Sequence, residues 1–284
     1  MLALEIKHLN KNYNHFSLND VSFQLEQGYI MGFIGANGAG KTTTLKSILN
    51  MIHIDGGEIN VLGKNFIEHE FELKQNLGYA FGGTDYYTRS KVKKVTNVVK
   101  SFYDNWSDET YQHYMKKFNL DEDKKIIELS AGMRVNYNLA LALSHGAKLL
   151  ILDEPTSGLD PVARDMLLDI FQELVEDGEI SIFFSTHITS DLEKCADYIT
   201  YINHGTIVNS MEKHDFLNTY RLLSGSEEQL NLVKDQLISY KTNSFGFIGL
   251  IHTKDFDTSI DINATLPNLE EIMIYFSKKE VQYV

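Results

Sequence analysis

Eight residues near the amino terminus constrain this chain more than any others. The run Gly35-Ala36-Asn37-Gly38-Ala39-Gly40-Lys41-Thr42 fits the phosphate-loop pattern G-x-x-x-x-G-K-[ST] at every fixed position. Residues 29–34 before it are apolar and predict a buried strand, and residues 43–52 after it carry apolar side chains at helical spacing. The order strand, loop, helix predicts a nucleotide site. A glycine-rich turn without a ligand is the alternative.

The residue types in this loop suit a phosphate group. Glycines allow the backbone N–H groups to approach the phosphate oxygens, and the following helix adds the positive end of its dipole. Lys41 supplies a mobile positive charge, and the Thr42 hydroxyl can ligate Mg²⁺. The predicted nucleotide-binding residues of this segment are Gly35, Ala36, Asn37, Gly38, Ala39, Gly40, Lys41, Thr42 and Thr43.

Charge and cysteine content narrow the possible partners. The 284 residues carry a formal net charge of −13, which argues against nucleic acid and anionic lipid as general partners, because both require a basic surface. The single cysteine, Cys195, cannot form an internal disulfide. We therefore expect a reducing, cytoplasmic setting and no nucleic-acid partner.

Export and membrane signals are missing from the sequence. Residues 1–10 alternate like a strand and lack the basic start and apolar core of a signal peptide. The longest apolar runs, near residues 29–36 and 149–152, fall well short of the roughly 18–20 residues that cross a bilayer. Any membrane role is expected to depend on another chain.

A second motif places two acids at the end of an apolar strand. Residues 149–152 are apolar, Asp153 and Glu154 follow, and Pro155 ends the run. If this strand ends beside the phosphate loop, Asp153 can reach Mg²⁺, and Glu154 can polarise the water that attacks a γ-phosphate. A solvated strand end is the alternative, but the phosphate loop upstream favours the catalytic interpretation.

Three further segments resemble one family. The run Leu129-Ser130-Ala131-Gly132-Met133 resembles the signature motif of ATP-binding cassette (ABC) ATPases, and Ser157-Gly158-Leu159-Asp160 resembles their D-loop. His187, after the apolar segment 180–185, resembles their switch histidine. The resemblance implies an α/β P-loop NTPase of the ABC ATPase type with an antiparallel β subdomain, a helical subdomain and a small C-terminal α/β appendage. The expected ranges are 1–220 for the nucleotide-binding domain, about 84–146 for its helical subdomain, and 221–284 for the appendage.

The resemblance also implies a site shared by two chains. In the family, two cassettes pack head to tail, so Ser130, Ala131, Gly132 and Asp160 would act on nucleotide held by the other subunit. Lys41, Glu154 and His187 would then be the catalytic residues, and Thr42 and Asp153 the metal ligands. A satisfied structural histidine is the alternative for His187. Tyr13 matches the aromatic residue that stacks on adenine, with a core tyrosine as the alternative.

The sequence departs from the family pattern at two motifs. Gly82-Gly83 stands where the family carries a glutamine, so no residue is assigned to that position, and water, Asp85 or the backbone would complete the metal shell. Ala131 and Met133 replace a glycine and a glutamine of the signature, while Ser130 and Gly132 are retained. We expect activity to survive, with slower turnover as one outcome.

Two regions outside the motifs have predicted structure. Val92, Val95, Val99 and Phe102 are spaced as one helix face, and packing on the domain core is the favoured interpretation for most of them. Tyr86 and Tyr87 are candidate interface residues. Beyond residue 220 we predict a helix over 227–237, strands over 245–252 and 259–263, and a helix over 267–276. Dimer support or regulation is the expected role of this appendage.

These motifs together favour an ATPase subunit that uses ATP and Mg²⁺ to drive a separate permease. The whole chain resembles ATPases of bacterial peptide and antibiotic-resistance exporters, including those for phenol-soluble modulins, so export is the favoured direction. The expected partners are a second ABC ATPase subunit, identical or different, and an integral membrane permease, at the inner face of the cell membrane. The alternatives are a nucleic-acid- or ribosome-associated cassette and a regulatory cassette.

Overall fold

The chain divides into two compact units. The computed structural model describes residues 1–81 and 87–281. The units span Met1–Ser210 and Met211–Val284, a division ten residues before the expected boundary at residue 220. The Gly82-Gly83 pair, Asp85 and Tyr86 lie outside the described residues.

The first unit alternates strands and helices. Its amino-terminal part contains β1 (Leu2–Tyr13), β2 (Phe16–Glu26), β3 (Ile30–Ile34), α1 (Lys41–Ile48), β4 (Gly56–Val61), β5 (Lys64–Asn65), α2 (Glu70–Lys74) and β6 (Leu77–Phe81). Three helices follow, α3 (Val92–Lys100), α4 (Asp108–Lys117) and α5 (Ala131–Ser144). The remaining elements are β7 (Leu149–Asp153), α6 (Pro161–Val175), β8 (Ser181–Thr186), α7 (Thr189–Cys195), β9 (Tyr198–Asn203) and β10 (Thr206–Glu212).

A parallel arrangement of buried strands forms the centre of this unit. The six-stranded sheet has the order β10-β9-β3-β8-β7-β6, and β3, β7 and β8 are buried along their whole length. Parallel pairing sets Ile34 beside Thr186, and Asp153 beside Ser185. Since parallel strands end at the same edge, the segments after β3, β7 and β8 emerge next to one another.

The antiparallel β subdomain predicted from the family resemblance is present. Its sheet has the order β2-β1-β4-β5, with β1 paired antiparallel to β2 and to β4. Alternate residues of β1 and β2, such as Leu4, Ile6 and Leu25, are fully buried, as expected for a sheet with one face on the core. This core is continuous with that of β3, β7 and β8.

The helical subdomain lies between β6 and β7 in the chain and has a polar centre. The buried Thr96 hydroxyl is 2.9 Å from each of the Tyr111 and Tyr137 phenol oxygens, which ties α3 to α4 and α5. Helix α3 ends at Lys100, so Phe102 lies beyond it and is 67% exposed. Of the predicted face, Val92 is buried and Val95 and Val99 are half-buried, whereas Phe102 does not pack on the core.

Up to residue 281, where the description of the second unit ends, it has one four-stranded sheet and three α-helices. It contains α8 (Lys213–Asn218), β11 (Tyr220–Gly225), α9 (Glu227–Val233), β12 (Leu237–Asn243), β13 (Gly246–His252), β14 (Asn263–Thr265) and α10 (Leu269–Val281). The strand order is β12-β13-β11-β14 with antiparallel pairs, and Leu223, Phe247 and Ile251 centre the core. The sequence analysis missed β11 and β12. Its strand over 259–263 is also wrong, because β14 begins at Asn263.

Candidate functional site

The phosphate loop joins β3 to α1 in a conformation that requires glycine. Gly40 caps α1 with φ at 114°, and a Cβ there would lie 2.8 Å from Leu18 Cδ2 and 2.9 Å from Phe16 Cζ. Ala36, Asn37 and Gly38 form an exposed tip above this buried base. The amino end of α1 therefore faces the loop with its unpaired N–H groups, which favours an anion.

Lys41 lies beneath the loop with its ammonium group among oxygen atoms. The side chain is 6% exposed, and Nζ donates to the Gly35 carbonyl at 2.7 Å and to the Ala36 carbonyl at 3.3 Å. The Glu154 Oε1 atom is 3.4 Å from the same nitrogen. The phosphate loop thus brings its lysine to the acid pair at the end of β7.

Asp153 is held from two sides. Thr42 Oγ1 donates to Asp153 Oδ2 at 2.8 Å, and Ser185 Oγ donates to Asp153 Oδ1 at 2.5 Å. A hydroxyl oxygen and a carboxylate oxygen in contact are hard ligands, which suit Mg²⁺ with phosphate and water completing the shell. Among the described residues, no group of three or more His, Cys, Asp and Glu side chains forms a cage that could hold a metal ion by itself. The residues present therefore fit a cation bound together with a nucleotide.

Glu154 stands between two nitrogen-bearing side chains. Its Oε2 atom is 2.7 Å from His187 Nδ1, while Oε1 faces Lys41. The Glu154 backbone has φ at 51°, in the left-handed region, and its N–H donates to the Ser185 carbonyl oxygen and hydroxyl. Such a conformation is costly for a residue with a side chain and is typical of functional sites. The strand end thus aims Glu154 between the phosphate loop and His187.

Ser185 is a site residue that the sequence analysis did not single out. It is fully buried on β8 and contacts both the Asp153 carboxylate and the Glu154 backbone. The available signal was a hydroxyl near the end of β8, directly after the apolar residues 182–184. The structure also shows that α7 begins at Thr189 after Ile188, and that the Ser190 hydroxyl accepts from Arg164.

The signature and D-loop residues begin two neighbouring helices. Ser130 Oγ accepts from the Met133 N–H at the start of α5, and Asp160 Oδ1 accepts from the Val162 and Ala163 N–H groups at the start of α6. A Cβ on Gly132 would lie 3.5 Å from Leu159 Cδ2, so the signature packs beside the D-loop of the same chain. Ser130 and Asp160 are both exposed.

Tyr13 lies at the end of β1 and is 49% exposed, which excludes the core alternative. The Lys11 ammonium is 5.3 Å from the centroid of its ring. One face of the ring is therefore engaged by a cation. Adenine stacking at Tyr13 stays a prediction.

A groove in the helical subdomain is a second concave surface. Its volume is about 500 Å³, and it is lined by side chains of α3, α5 and β6 together with Tyr87. Val95, Val99 and Leu141 supply an apolar floor, and Lys94 contributes positive charge. We call this surface the helical groove.

One wall of the helical groove is a stacked pair of rings. His145 lies against Tyr103 with 3.7 Å between ring centroids, and its Nδ1 atom is 3.2 Å from the Gln75 carbonyl oxygen. Burial lowers the pKa of the His145 ring to about 4, and burial raises the pKa of the Tyr103 phenol to about 12. Both rings are thus held in their neutral forms near pH 7.

Comparison with known proteins places this geometry in a family. The family model described as "ABC transporter" matches residues 18–157. The ABC transporter ATP-binding protein YtrB of Bacillus subtilis is 31% identical over 219 residues, which cover 76% of this chain and 74% of that protein. The chain belongs to the ABC transporter family. It is an ATP-binding subunit of this family and hydrolyses ATP.

Two further comparisons extend the match. The bacitracin transport ATP-binding protein BcrA of Enterococcus faecalis is 27% identical over 298 residues, covering 97% of this ABC ATPase and 96% of BcrA. A solved ATP-binding subunit of an ABC transporter superposes with a TM-score of 0.68 at 26% identity, covering 75% of this chain and 91% of that one. Within the described residues, no helix has the length and apolar character needed to cross a membrane.

Proposed function

We propose that this ABC ATPase pairs with a second cassette on ATP and drives export through a separate permease. The observation that carries the proposal is the cluster of Lys41, Thr42, Asp153, Glu154 and His187 at one edge of the central sheet. The phosphate loop and the start of α1 supply Lys41 and Thr42, the end of β7 supplies Asp153 and Glu154, and the end of β8 supplies His187. A phosphoryl-transfer site requires such convergence.

The chain's own groups divide the work of hydrolysis. The loop N–H groups and Lys41 bind the phosphate oxygens, and Thr42 and Asp153 hold the cation. Bound Mg²⁺ would neutralise charge on the phosphates during transfer. Glu154 accepts the proton of the attacking water, and His187 fixes the Glu154 carboxylate through its Nδ1 atom.

The second cassette completes the site in this proposal. Ser130 and Asp160 are exposed at the starts of α5 and α6, where a helix terminus can approach a γ-phosphate from outside. The signature packs beside the D-loop at Gly132 and Leu159, which supports a single contact surface that meets the phosphate loop of the other subunit. Loss of the γ-phosphate removes the shared anion and allows the pair to open.

The permease contact is proposed at the helical groove. An apolar floor with tyrosine side chains and Lys94 at its border suits a short amphipathic helix that presents an acidic residue. Such a segment would be a cytoplasmic loop of the permease. With this contact, the chain would lie at the inner face of the membrane through its partner.

Export is supported by the relatives. BcrA of Enterococcus faecalis is named as a bacitracin transport protein and matches this chain over almost its whole length. We therefore propose that the exported compound is a peptide or another amphipathic antibiotic-like molecule. The net charge of −13 supports a protein partner over nucleic acid.

Affinity purification of the tagged chain from membranes tests this function. We expect an integral membrane protein to co-purify in detergent, and reconstituted vesicles to take up a peptide antibiotic only with ATP. A groove variant, Val99→Glu, should lose the membrane partner, whereas Phe71→Glu, at an exposed site outside the groove, should retain it. Recovery with ribosomes or DNA would contradict the proposal.

A further inference from the structure

The segment after Glu154, the segment after His187 and the start of α6 meet at one buried carboxylate. Asp191 lies in the first turn of α7 and has no exposed surface. Its Oδ1 atom accepts from Arg164 Nε on α6, and its Oδ2 atom accepts from Thr156 Oγ1 at 2.6 Å. Thr186 Oγ1 is 3.5 Å from the same Oδ2 atom.

Each partner of Asp191 belongs to a segment that also carries a site residue. Thr156 follows Glu154 by two residues, and the Ser157 N–H donates to the Glu154 carbonyl. Arg164 lies one helical turn after Asp160, and its N–H donates to the Asp160 carbonyl. Both hydrogen bonds join backbone groups. A displacement of Thr156 would therefore be passed on to Glu154, and a displacement of Arg164 to Asp160.

The third segment carries His187. Thr186 ends β8, and its hydroxyl accepts from the Ile188 N–H at 3.0 Å, which fixes the backbone on both sides of His187. The Ser190 hydroxyl, on the same helix as Asp191, accepts from Arg164 Nη2. Arg164 therefore contacts α7 at two consecutive residues.

The hydrogen bonds to the buried Asp191 carboxylate explain how this arrangement can position the site. A buried charge is retained only when it is paired and hydrogen-bonded, and Asp191 meets that condition through a guanidinium and hydroxyl groups. Hydrogen bonds to these partners are directional. The Asp191 carboxylate therefore fixes how the three segments are oriented as well as how close they lie. Glu154 and His187 touch each other at 2.7 Å, a contact that depends on the relative placement of the same segments.

From these contacts we propose that Asp191 is a positioning residue for hydrolysis. It holds the Glu154–His187 pair in register with the D-loop residue Asp160 through Thr156, Arg164 and Thr186. The inference rests on the proposed roles of Glu154, His187 and Asp160. It adds a link between the catalytic pair of one subunit and the D-loop that faces the other.

The test uses two variants of this cluster, in the full chain with its permease. Asp191→Asn removes the charge, and Thr156→Val removes a hydroxyl while keeping the side-chain shape. A misplaced catalytic pair costs on the order of ten- to a hundredfold in kcat, so we expect that loss with the KM for ATP changed less than about threefold. Thr156→Ser, which restores the hydroxyl, should recover most of the wild-type kcat.

A matched control separates positioning from general packing of the two helices. Lys194 on α7 contacts Asp165 on α6 at 2.5 Å, so Asp165→Asn weakens an exposed bridge between the same helices. We expect its kcat to match the wild type. If Asp165→Asn loses as much activity as Asp191→Asn, the link is general packing and the proposal is overturned.

Two further results keep the outcome unambiguous. Hydrogen exchange should increase in segments 156–164 and 186–191 of Thr156→Val, with the phosphate loop unchanged, and this readout does not require activity. Unchanged kcat and unchanged exchange in folded Thr156→Val and Asp191→Asn would overturn the inference. A failure of the proposed function would be visible separately. In that case the wild type would not hydrolyse ATP with its permease, or Glu154→Gln would hydrolyse ATP at the wild-type rate.

Discussion

At the scale of single residues, the site depends on a few side chains with distinct tasks. Lys41 is buried under the phosphate loop, Asp153 is fixed by two hydroxyl groups, and Glu154 is aimed by a left-handed backbone. Glu154 and His187 are in direct contact, so both side chains are expected to act on the same attacking water. Changes to these residues should therefore separate binding from turnover.

Replacing Glu154 by Gln should abolish turnover without abolishing binding. The amide keeps the size of the side chain but cannot accept the proton of the attacking water. We expect kcat to fall by on the order of a hundredfold or more, with ATP affinity near that of the wild type. Steady-state hydrolysis and an ATP titration measure the two quantities. Unchanged hydrolysis would remove Glu154 from the base position.

Replacing Lys41 by Ala should act on binding. Its ammonium lies 2.7 Å from a loop carbonyl, where it can turn to a phosphate oxygen, and a charged hydrogen bond contributes about 1.5–3 kcal/mol. We expect ATP affinity to fall by roughly ten- to a hundredfold, while the thermal unfolding midpoint stays close to that of the wild type. Lys46→Ala, on the exposed face of the same helix, is the matched control. Equal affinities for both variants contradict the assignment.

At the scale of elements, the loop and the helical subdomain are the informative parts. The loop is fixed by backbone conformations that favour glycine, and the helical subdomain by a shared hydroxyl and a stacked ring pair. These are packing features, so their variants should change stability and local shape before they change chemistry.

Replacing Gly40 by Ala should distort the phosphate loop. The added Cβ meets Leu18 and Phe16 below 3.0 Å, and φ at 114° is unfavourable for alanine. We expect a stability loss of about 1–3 kcal/mol together with weakened ATP binding. Gly38→Ala has a positive φ but open space, so denaturant unfolding should show the smaller loss there. The reverse order would contradict this view of the loop.

The buried ring of His145 predicts a pH-dependent stability. Its pKa is lowered to about 4 in the folded chain, below the ordinary value of 6.5, so the unfolded chain binds the proton more readily. The contribution is complete above pH 6.5 and is lost as pH falls toward 4, by about 3 kcal/mol at most. His145→Phe should show a correspondingly flatter unfolding free energy across this window. Parallel curves for the two proteins would contradict the assignment.

Several of these features could be predicted from the sequence, and others could not. The order strand, loop, helix located Lys41 and Thr42, because that motif is local in the chain. The position of Asp153 and Glu154 beside the phosphate loop could be predicted because parallel strands end at one edge of a sheet. Ser185 and Asp191 were missed, since their contacts depend on side-chain direction across neighbouring segments. β12 was missed because its exposed residues, such as Lys241 and Asn243, dilute the apolar signal.

At the scale of the whole molecule, we expect a site that one chain cannot complete. Ser130 of the signature and Asp160 of the D-loop are exposed at the starts of two helices. The phosphate loop supplies the other set of groups, its N–H groups and Lys41, which bind the phosphates from the opposite side. Joining the two sets of groups requires a second cassette, so we expect each site to be divided between two chains.

Mixing two inactive variants tests that claim most directly. Lys41→Ala disables the phosphate loop and leaves the signature intact, while Ser130→Arg blocks the signature and leaves the phosphate loop intact. A mixed pair holds one intact site, so hydrolysis should reappear on mixing at roughly a quarter of the wild-type rate, since about half of random pairs are mixed. A mixture no more active than the two variants alone, under conditions where wild type hydrolyses ATP, would contradict the account.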